Sequence, residues 1–210
     1  AYVFDGNDRL SVAASTSLNN WNKEITVTSW VNWNTVGTTK PMFGQRPDSC
    51  AAGNWQFYAD VGNNGMYFNF WDSGSTAREC QSTKVLSADT WSYVTATYDG
   101  ANVKIYHDAA LVKTCPFTQT MRSLSTITWI GDEGCENYFD GTIDDFQIYN
   151  RALSHEQITK LYENRSDMIV ENETKGNEVW NVSIIPNDGS GDGVETYSTG
   201  LTIRPITVAN

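Results

Sequence analysis

Hydrophobic and polar positions alternate with a period near two along most of the chain, and short alternating runs are separated by turn residues every eight to twelve positions. Tyr2 to Phe4 and Leu10 to Ala13 read as short strands around Gly6-Asn7-Asp8. Ile25 to Trp33 reads as a longer strand, with Ile25, Val27 and Val31 on one face and Thr26, Thr28, Trp30 and Asn32 on the other. Trp30 competes with the aliphatic face for the core, so the pattern leaves both assignments open. Met42 to Gln45, Gln56 to Val61, Met66 to Trp71, Trp91 to Tyr98, Val103 to Tyr106, Leu111 to Thr114 and Ile127 to Ile130 follow as strands. Gly62-Asn63-Asn64-Gly65 and Asp99-Gly100 supply hairpin turns. Pro47 to Asn54 and Asp72 to Ser82 are polar and read as loops; Gly131 to Asn137 reads as an acidic loop.

The pattern changes between Tyr138 and Tyr162. Ile143, Phe146 and Ile148 keep an approximate strand period. Ser154 then stands at an N-cap position, with Gln157 three residues on as a capping-box partner, and Ile158, Leu161 and Tyr162 recur at helical spacing. A strand therefore runs into one short amphipathic helix, whose apolar stripe is expected to dock at the rim of the preceding sheet. These elements predict an all-β antiparallel sandwich with one short helix towards its carboxy-terminal end.

Phe139-x-Gly-x-Ile-Asp-Asp, then Ile148-Tyr-Asn-Arg-Ala-Leu-Ser154 and a helix ending in Leu161-Tyr162, resembles the closing motif of the concanavalin A-like, laminin G-like jelly rolls. Phe4-Asp5-Gly6-Asn7-Asp8 resembles the opening strand of that family, and the intervening strands follow in family order over residues 1 to 164. The resemblance implies a jelly-roll β-sandwich, a fold that hosts many activities. Composition shifts after Asn164. Trp180 within Val179 to Ile185, a Gly/Asp-rich turn at Pro186 to Gly193, and Thr196 to Ile203 resemble the last strands of an immunoglobulin-like module of surface proteins. Residues 165 to 210 are thus read as a partial β segment. So few strands need partners, either on the main domain or from elsewhere.

The formal net charge is −11, with no visible basic patch, which speaks against binding nucleic acid through its phosphates. No segment reads as a membrane span. Cys50, Cys80, Cys115 and Cys135 show no CxxC spacing, and with His107 and His155 the only histidines, zinc is disfavoured. Widely spaced cysteines in even number point to disulfides and an oxidising compartment. Of the three pairings, Cys50–Cys80 with Cys115–Cys135 closes the shorter loops and is the expectation. Asn164, Asn172 and Asn181 each begin an Asn-x-Ser/Thr sequon, which supports a secreted glycoprotein.

Three kinds of chemistry are candidates. Calcium takes hard oxygen ligands from loops. Asp5 and Asp145 form one candidate set; adjacent strand side chains point to opposite faces, so Asp145 is chosen over Asp144. Asp60, Asn63 and Asn64 with Asp132, Glu133 and Glu136 form another, whose layout resembles the calcium-dependent ligand site of pentraxins; Gly134 and Cys135 depart from it. Sugar recognition needs aromatic faces beside amides and carboxylates. Trp55, Trp71 with Asp72, and Tyr138 with Asn137 stand at strand ends, whereas Trp30, Trp91, Trp129 and Trp180 are expected in the core. Hydrolytic chemistry is poorly supported: no strand carries Glu-x-Asp-x-x-Glu, and neither histidine lies in a nucleophile motif. The sequence is read as an extracellular, non-catalytic module that binds a glycan or a cell-surface glycoprotein and carries structural calcium. The alternative is a surface-layer or filament subunit whose carboxy-terminal strands pair with neighbouring copies.

Overall fold

The computed structural model describes residues 1–210 except 20, 22, 35–38, 61–64, 85, 166–169, 171–172, 187–190, 192 and 205–210; for Thr39 and Asp60 the backbone alone is described. The described residues form, in order, β1 (Tyr2–Asp5), β2 (Leu10–Val12), β3 (Ile25–Trp33), β4 (Thr39–Gln45), β5 (Trp55–Asp60), β6 (Gly65–Trp71), β7 (Ala77–Gln81), β8 (Ser92–Tyr98), β9 (Asn102–His107), β10 (Ala110–Pro116), β11 (Thr128–Ile130), β12 (Asp140–Tyr149), α1 (His155–Tyr162), β13 (Val179–Trp180), β14 (Ser183–Ile184), β15 (Thr196–Tyr197) and β16 (Leu201–Thr202). The chain divides into two compact units, Ala1–Tyr162 and Glu163–Asn210.

The first unit is an antiparallel jelly-roll sandwich. One sheet has the order β1-β12-β3-β8-β9-β10 and the other β2-β11-β4-β5-β6-β7. Phe4, Val27, Val31 and Trp33 from the first sheet meet Phe43, Trp55, Phe57, Phe68 and Phe70 from the second, all of them buried. The aliphatic face of β3 thus lies in the main core. Trp30 takes the opposite face, where its ring stacks on Tyr162 of α1 at 5.4 Å.

That opposite face explains the helix. Cross-strand partners share a face of the sheet, and Trp30↔Tyr93 with Thr95↔Tyr106 builds an apolar platform outside the sandwich. Ile158, Leu153, Leu161 and Tyr162 pack onto it. The helix lies on the sheet's face, not at its rim, because the Thr26 hydroxyl ties the connecting turn down: it donates to Arg151 O and accepts from Leu153 N, each at 2.9 Å. The capping box forms as expected, with Gln157 N donating to Ser154 Oγ and Ser154 N donating to Gln157 Oε1.

Two segments depart from the sequence reading. Residues 77–81, expected within a loop, form edge strand β7; only Cys80 on it is buried, so no alternation marked it. In β12 the core residues Ile143 and Phe146 are separated by an odd interval, which a regular strand cannot place on one face. A bulge between Asp144 and Gln147 restores the phase, with Asp145 at φ 48°. Both Asp144 and Asp145 are exposed as a result, instead of diverging to opposite faces.

The disulfides are Cys50–Cys135 and Cys80–Cys115, not the shorter loops expected. Topology decides this. β11 runs antiparallel to β4, and the loop after β11 folds back across β4 until Gly134 lies against Arg46 and Pro47, which brings Cys135 to the loop that holds Cys50. β7 and β10 are the edges of the two sheets on one side of the sandwich, so Cys80–Cys115 bridges sheet to sheet.

In the second unit the described residues form two short ladders, β13 with β16 and β14 with β15. Trp180 is half-buried there. Asn164 and Asn181 are exposed; Asn172 lies outside the described residues.

Candidate functional site: the outer face of the second sheet

Strands β5 and β6 bury Trp55, Phe57, Met66, Phe68 and Phe70 and turn every other residue outward. Register aligns the outward residues in two rows. One row runs Pro41, Tyr58, Tyr67, Gln81; the next runs Gly44, Gln56, Asn69, Glu79. The Tyr58 and Tyr67 rings stack with centroids 4.8 Å apart and planes 5° from parallel. Tyr58 Oη donates to Glu79 Oε2 at 2.8 Å, and Gln81 Nε2 donates to Tyr67 Oη at 2.6 Å. Burial, and then the Glu79 carboxylate, push the Tyr58 phenol well above its ordinary value, so it stays a donor. Asn69 is 2% exposed, and its Oδ1 has no protein donor.

The acidic loop of residues 131–138 closes one end of the rows. It folds back across β4, where a Cβ on Gly44 would meet Glu133 Cα and Cβ at 3.0 Å. Gly134, at φ +92°, leaves a Cβ no room against Trp129 Nε1 at 2.8 Å. Glu133 and Asn137 then line a pocket of about 60 Å³ with Pro41, Gln56 and Tyr58. Arg46 donates from Nη1 to Glu133 Oε2 and to Gln56 Oε1, both at 2.9 Å, and lies 4.9 Å over the Trp71 ring. Burial pushes the Glu133 carboxyl above its ordinary value, against the pull of Arg46. Arg9 bridges Asp132 at 2.7 Å and Asp48 at 3.1 Å while lying 4.1 Å over Trp129 and 5.9 Å from Tyr138. With Cys50–Cys135, these contacts fix both loops before any ligand arrives.

A family profile described as the concanavalin A-like lectin/glucanases superfamily matches residues 4–159. The chain belongs to this superfamily. Among solved structures, the lectin-like sandwich is similar to domain 4 of AbnA, a GH43 extracellular arabinanase from Geobacillus stearothermophilus in complex with arabinotriose. The TM-score is 0.61 and the identity 18%, covering 76% of this chain and 75% of that one. It is also similar to the binding domain of botulinum neurotoxin serotype D, with TM-score 0.61 and 17% identity, covering 78% of this chain and 41% of that one. The binding domain of botulinum neurotoxin DC in complex with SialylT gives TM-score 0.60 and 14% identity, covering 78% and 42%. The chain therefore spans less than half of these toxin domains. At these identities the likeness is one of fold. No curated protein sequence matches the chain.

Of the sugar-contact residues expected in this lectin-like domain, Asn137 lines the pocket, Trp71 lies half-buried under Arg46, and Tyr138 stands beside Arg9. Trp55 does not face the surface: it is a core residue of β5, stacked on Phe68. Asp72 is a local staple, accepting from Gly74 N, Thr76 N and the Arg78 guanidinium. Trp91, expected in the core, is 42% exposed, and Trp129 is buried on the outer face and not between the sheets.

Of the residues expected to bind calcium, Asp5 and Asp145 are not brought together. Asp5 pairs in register with Asp140, and Asp145 lies five residues further along β12, so the two sit roughly 16 Å apart at ordinary strand rise. Asp132 gives Oδ2 to Arg9 and Oδ1 to Glu133 N and Asn137 N, and Glu133 gives Oε2 to Arg46. Each of the two carboxylates thus gives one oxygen to an arginine. Asn63, Asn64 and the Asp60 side chain lie outside the described residues. No group of three or more His, Cys, Asp or Glu is placed to hold a metal among the described residues.

The sequence reading missed Gln56, Tyr58, Tyr67, Asn69 and Glu79. The available signal was parity: aromatic and amide residues at the positions that alternate with the core residues of β5 and β6. One further cluster has hydrolytic composition. His107 Nε2 lies 3.1 Å from Ser92 Oγ and 3.5 Å from Asp108 Oδ2. Both contacts fall on one ring nitrogen, whereas a relay needs the carboxylate on the other.

Proposed function

We propose that the lectin-like sandwich is a non-catalytic, extracellular glycan-binding module whose ligand lies across the outer face of the second sheet. The stacked Tyr58–Tyr67 pair carries this reading: partly exposed rings are flanked by Gln56, Gln81, Asn137, Glu79 and Glu133. Rings offer faces to the CH groups of a sugar, while amides and carboxylates meet its hydroxyls. The rows cross four strands, about 14 Å at ordinary strand spacing, which suits an oligosaccharide more than a single ring. The similar fold of an arabinanase domain solved with arabinotriose supports the reading. The two disulfides support an oxidising, extracellular setting. Titration calorimetry against an oligosaccharide panel that includes arabinotriose tests it. Tyr67→Ala should weaken binding by about tenfold, roughly 1.4 kcal/mol, with the melting transition retained. Unchanged affinity in this variant would move the site elsewhere.

A second reading concerns the second unit. Val179, Ile184, Tyr197 and Leu201 are exposed on two-residue strands, and Val182 is exposed between two of them. Ladders this short do not stand alone, and their free edges invite a strand from a neighbouring copy. Concentration-dependent mass in sedimentation equilibrium would support this; a monomer at every concentration would remove it.

A further inference from the structure

The strip on the second sheet is rich in acceptors and poor in cations. Glu79 is exposed, and Glu133 lines the pocket. Asn69, between Gln56 and Glu79 in the same row, holds a buried Oδ1 without a protein donor. The guanidinium at this end of the strip is spent: Arg46 donates from Nε to Ala51 O, from Nη2 to Cys50 O, and from Nη1 to Gln56 and Glu133. Arg78, on β7, is bound to Asp72.

We propose that this site selects neutral, hydroxyl-bearing glycans and rejects those carrying carboxylate or sulfate groups, an inference that rests on the glycan reading above. A neutral sugar brings hydroxyl donors, which carboxylates accept in short charge-assisted bonds. An anionic sugar brings further acceptors and sets a like charge beside the exposed Glu79, and neither row of described residues holds a cation to offset it. The chain's net charge of −11 adds repulsion at longer range. Discrimination here comes as much from the repelled ligand as from the accepted one.

The test uses the full chain in titration calorimetry. Neutral oligosaccharides, arabinotriose among them, are set against sialylated, sulfated and uronic-acid oligosaccharides of matched length, at low and high salt. Neutral members should bind at least about tenfold more tightly, and Glu79→Gln, alone and with Glu133→Gln, should narrow that ratio. Raising the salt should narrow it too. Glu79 is exposed, so its amide variant keeps the fold, which a melting curve checks. Acidic glycans binding as tightly as neutral ones would overturn the selectivity while leaving the glycan site in place. Binding of no glycan by a natively melting protein would overturn the glycan reading, and this inference with it.

Discussion

Arg46 reaches from the end of β4 to Glu133 at 2.9 Å, with both side chains largely buried, and so joins the two loops that border the pocket. The partner of this carboxylate is a protein cation. Arg46→Met leaves Glu133 buried beside Gln56 without a counter-charge, which costs on the order of 3 kcal/mol. Denaturant unfolding measures that loss. Because arginines already neutralise Asp132 and Glu133, adding calcium or a chelator should leave the melting temperature of the intact protein unchanged. A ligand that binds only the native state must raise the melting temperature, so a calcium-dependent rise would show these oxygens exchanging arginine for metal.

The disulfide pattern gives a second prediction. Non-reducing peptide mapping should recover Cys50 joined to Cys135 and Cys80 joined to Cys115. Removing Cys80–Cys115, which spans 35 residues, should cost about 4 kcal/mol by loop-closure entropy. It should also loosen the edge where β7 faces β10, read as faster amide exchange in β7 than in β6. Recovery of a Cys50–Cys80 peptide would contradict the sheet pairing itself.

What the sequence revealed follows from the range of each interaction. The capping box of Ser154 and Gln157 was legible because both partners lie within one helical turn. Most strands were legible because one face is buried and the other is not. β7 was hidden because an edge strand with one buried residue carries no period. The bulge at Asp145 was legible in retrospect from the odd interval between Ile143 and Phe146. The cysteine pairing was not, since loop length says nothing about which strands lie side by side. The site was missed for a related reason. Tyr58, Tyr67, Asn69 and Glu79 become a surface only when β5, β6 and β7 are in register, whereas Trp55 looked available at a strand end and is in fact core.

That correction separates two tryptophans. Trp55→Ala removes a fully buried ring and should cost about 4 kcal/mol. Trp91, the exposed one, should tolerate alanine within about 0.5 kcal/mol. Thermal melts of the two variants check this. Similar losses in both would mean that the alternation in β5 had been assigned to the wrong face.

Asp72 supplies the acid-dependent prediction. Thr76 N–H, the Arg78 guanidinium and Gly74 N–H all favour its ionised form, which holds its carboxyl below the ordinary value of 3.8. A carboxylate with a lowered value in the folded state stabilises the protein above the unfolded-state value. That contribution fades as the pH falls through the folded-state value. Wild type should therefore exceed Asp72→Asn in stability at neutral pH, and the gap should close below about pH 4 as both forms become neutral. Urea unfolding of the pair between neutral and acid pH measures it. A gap that persists unchanged into acid would mean that Asp72 acts through shape, with the charge of its carboxylate irrelevant to the turn from Asp72 to Thr76.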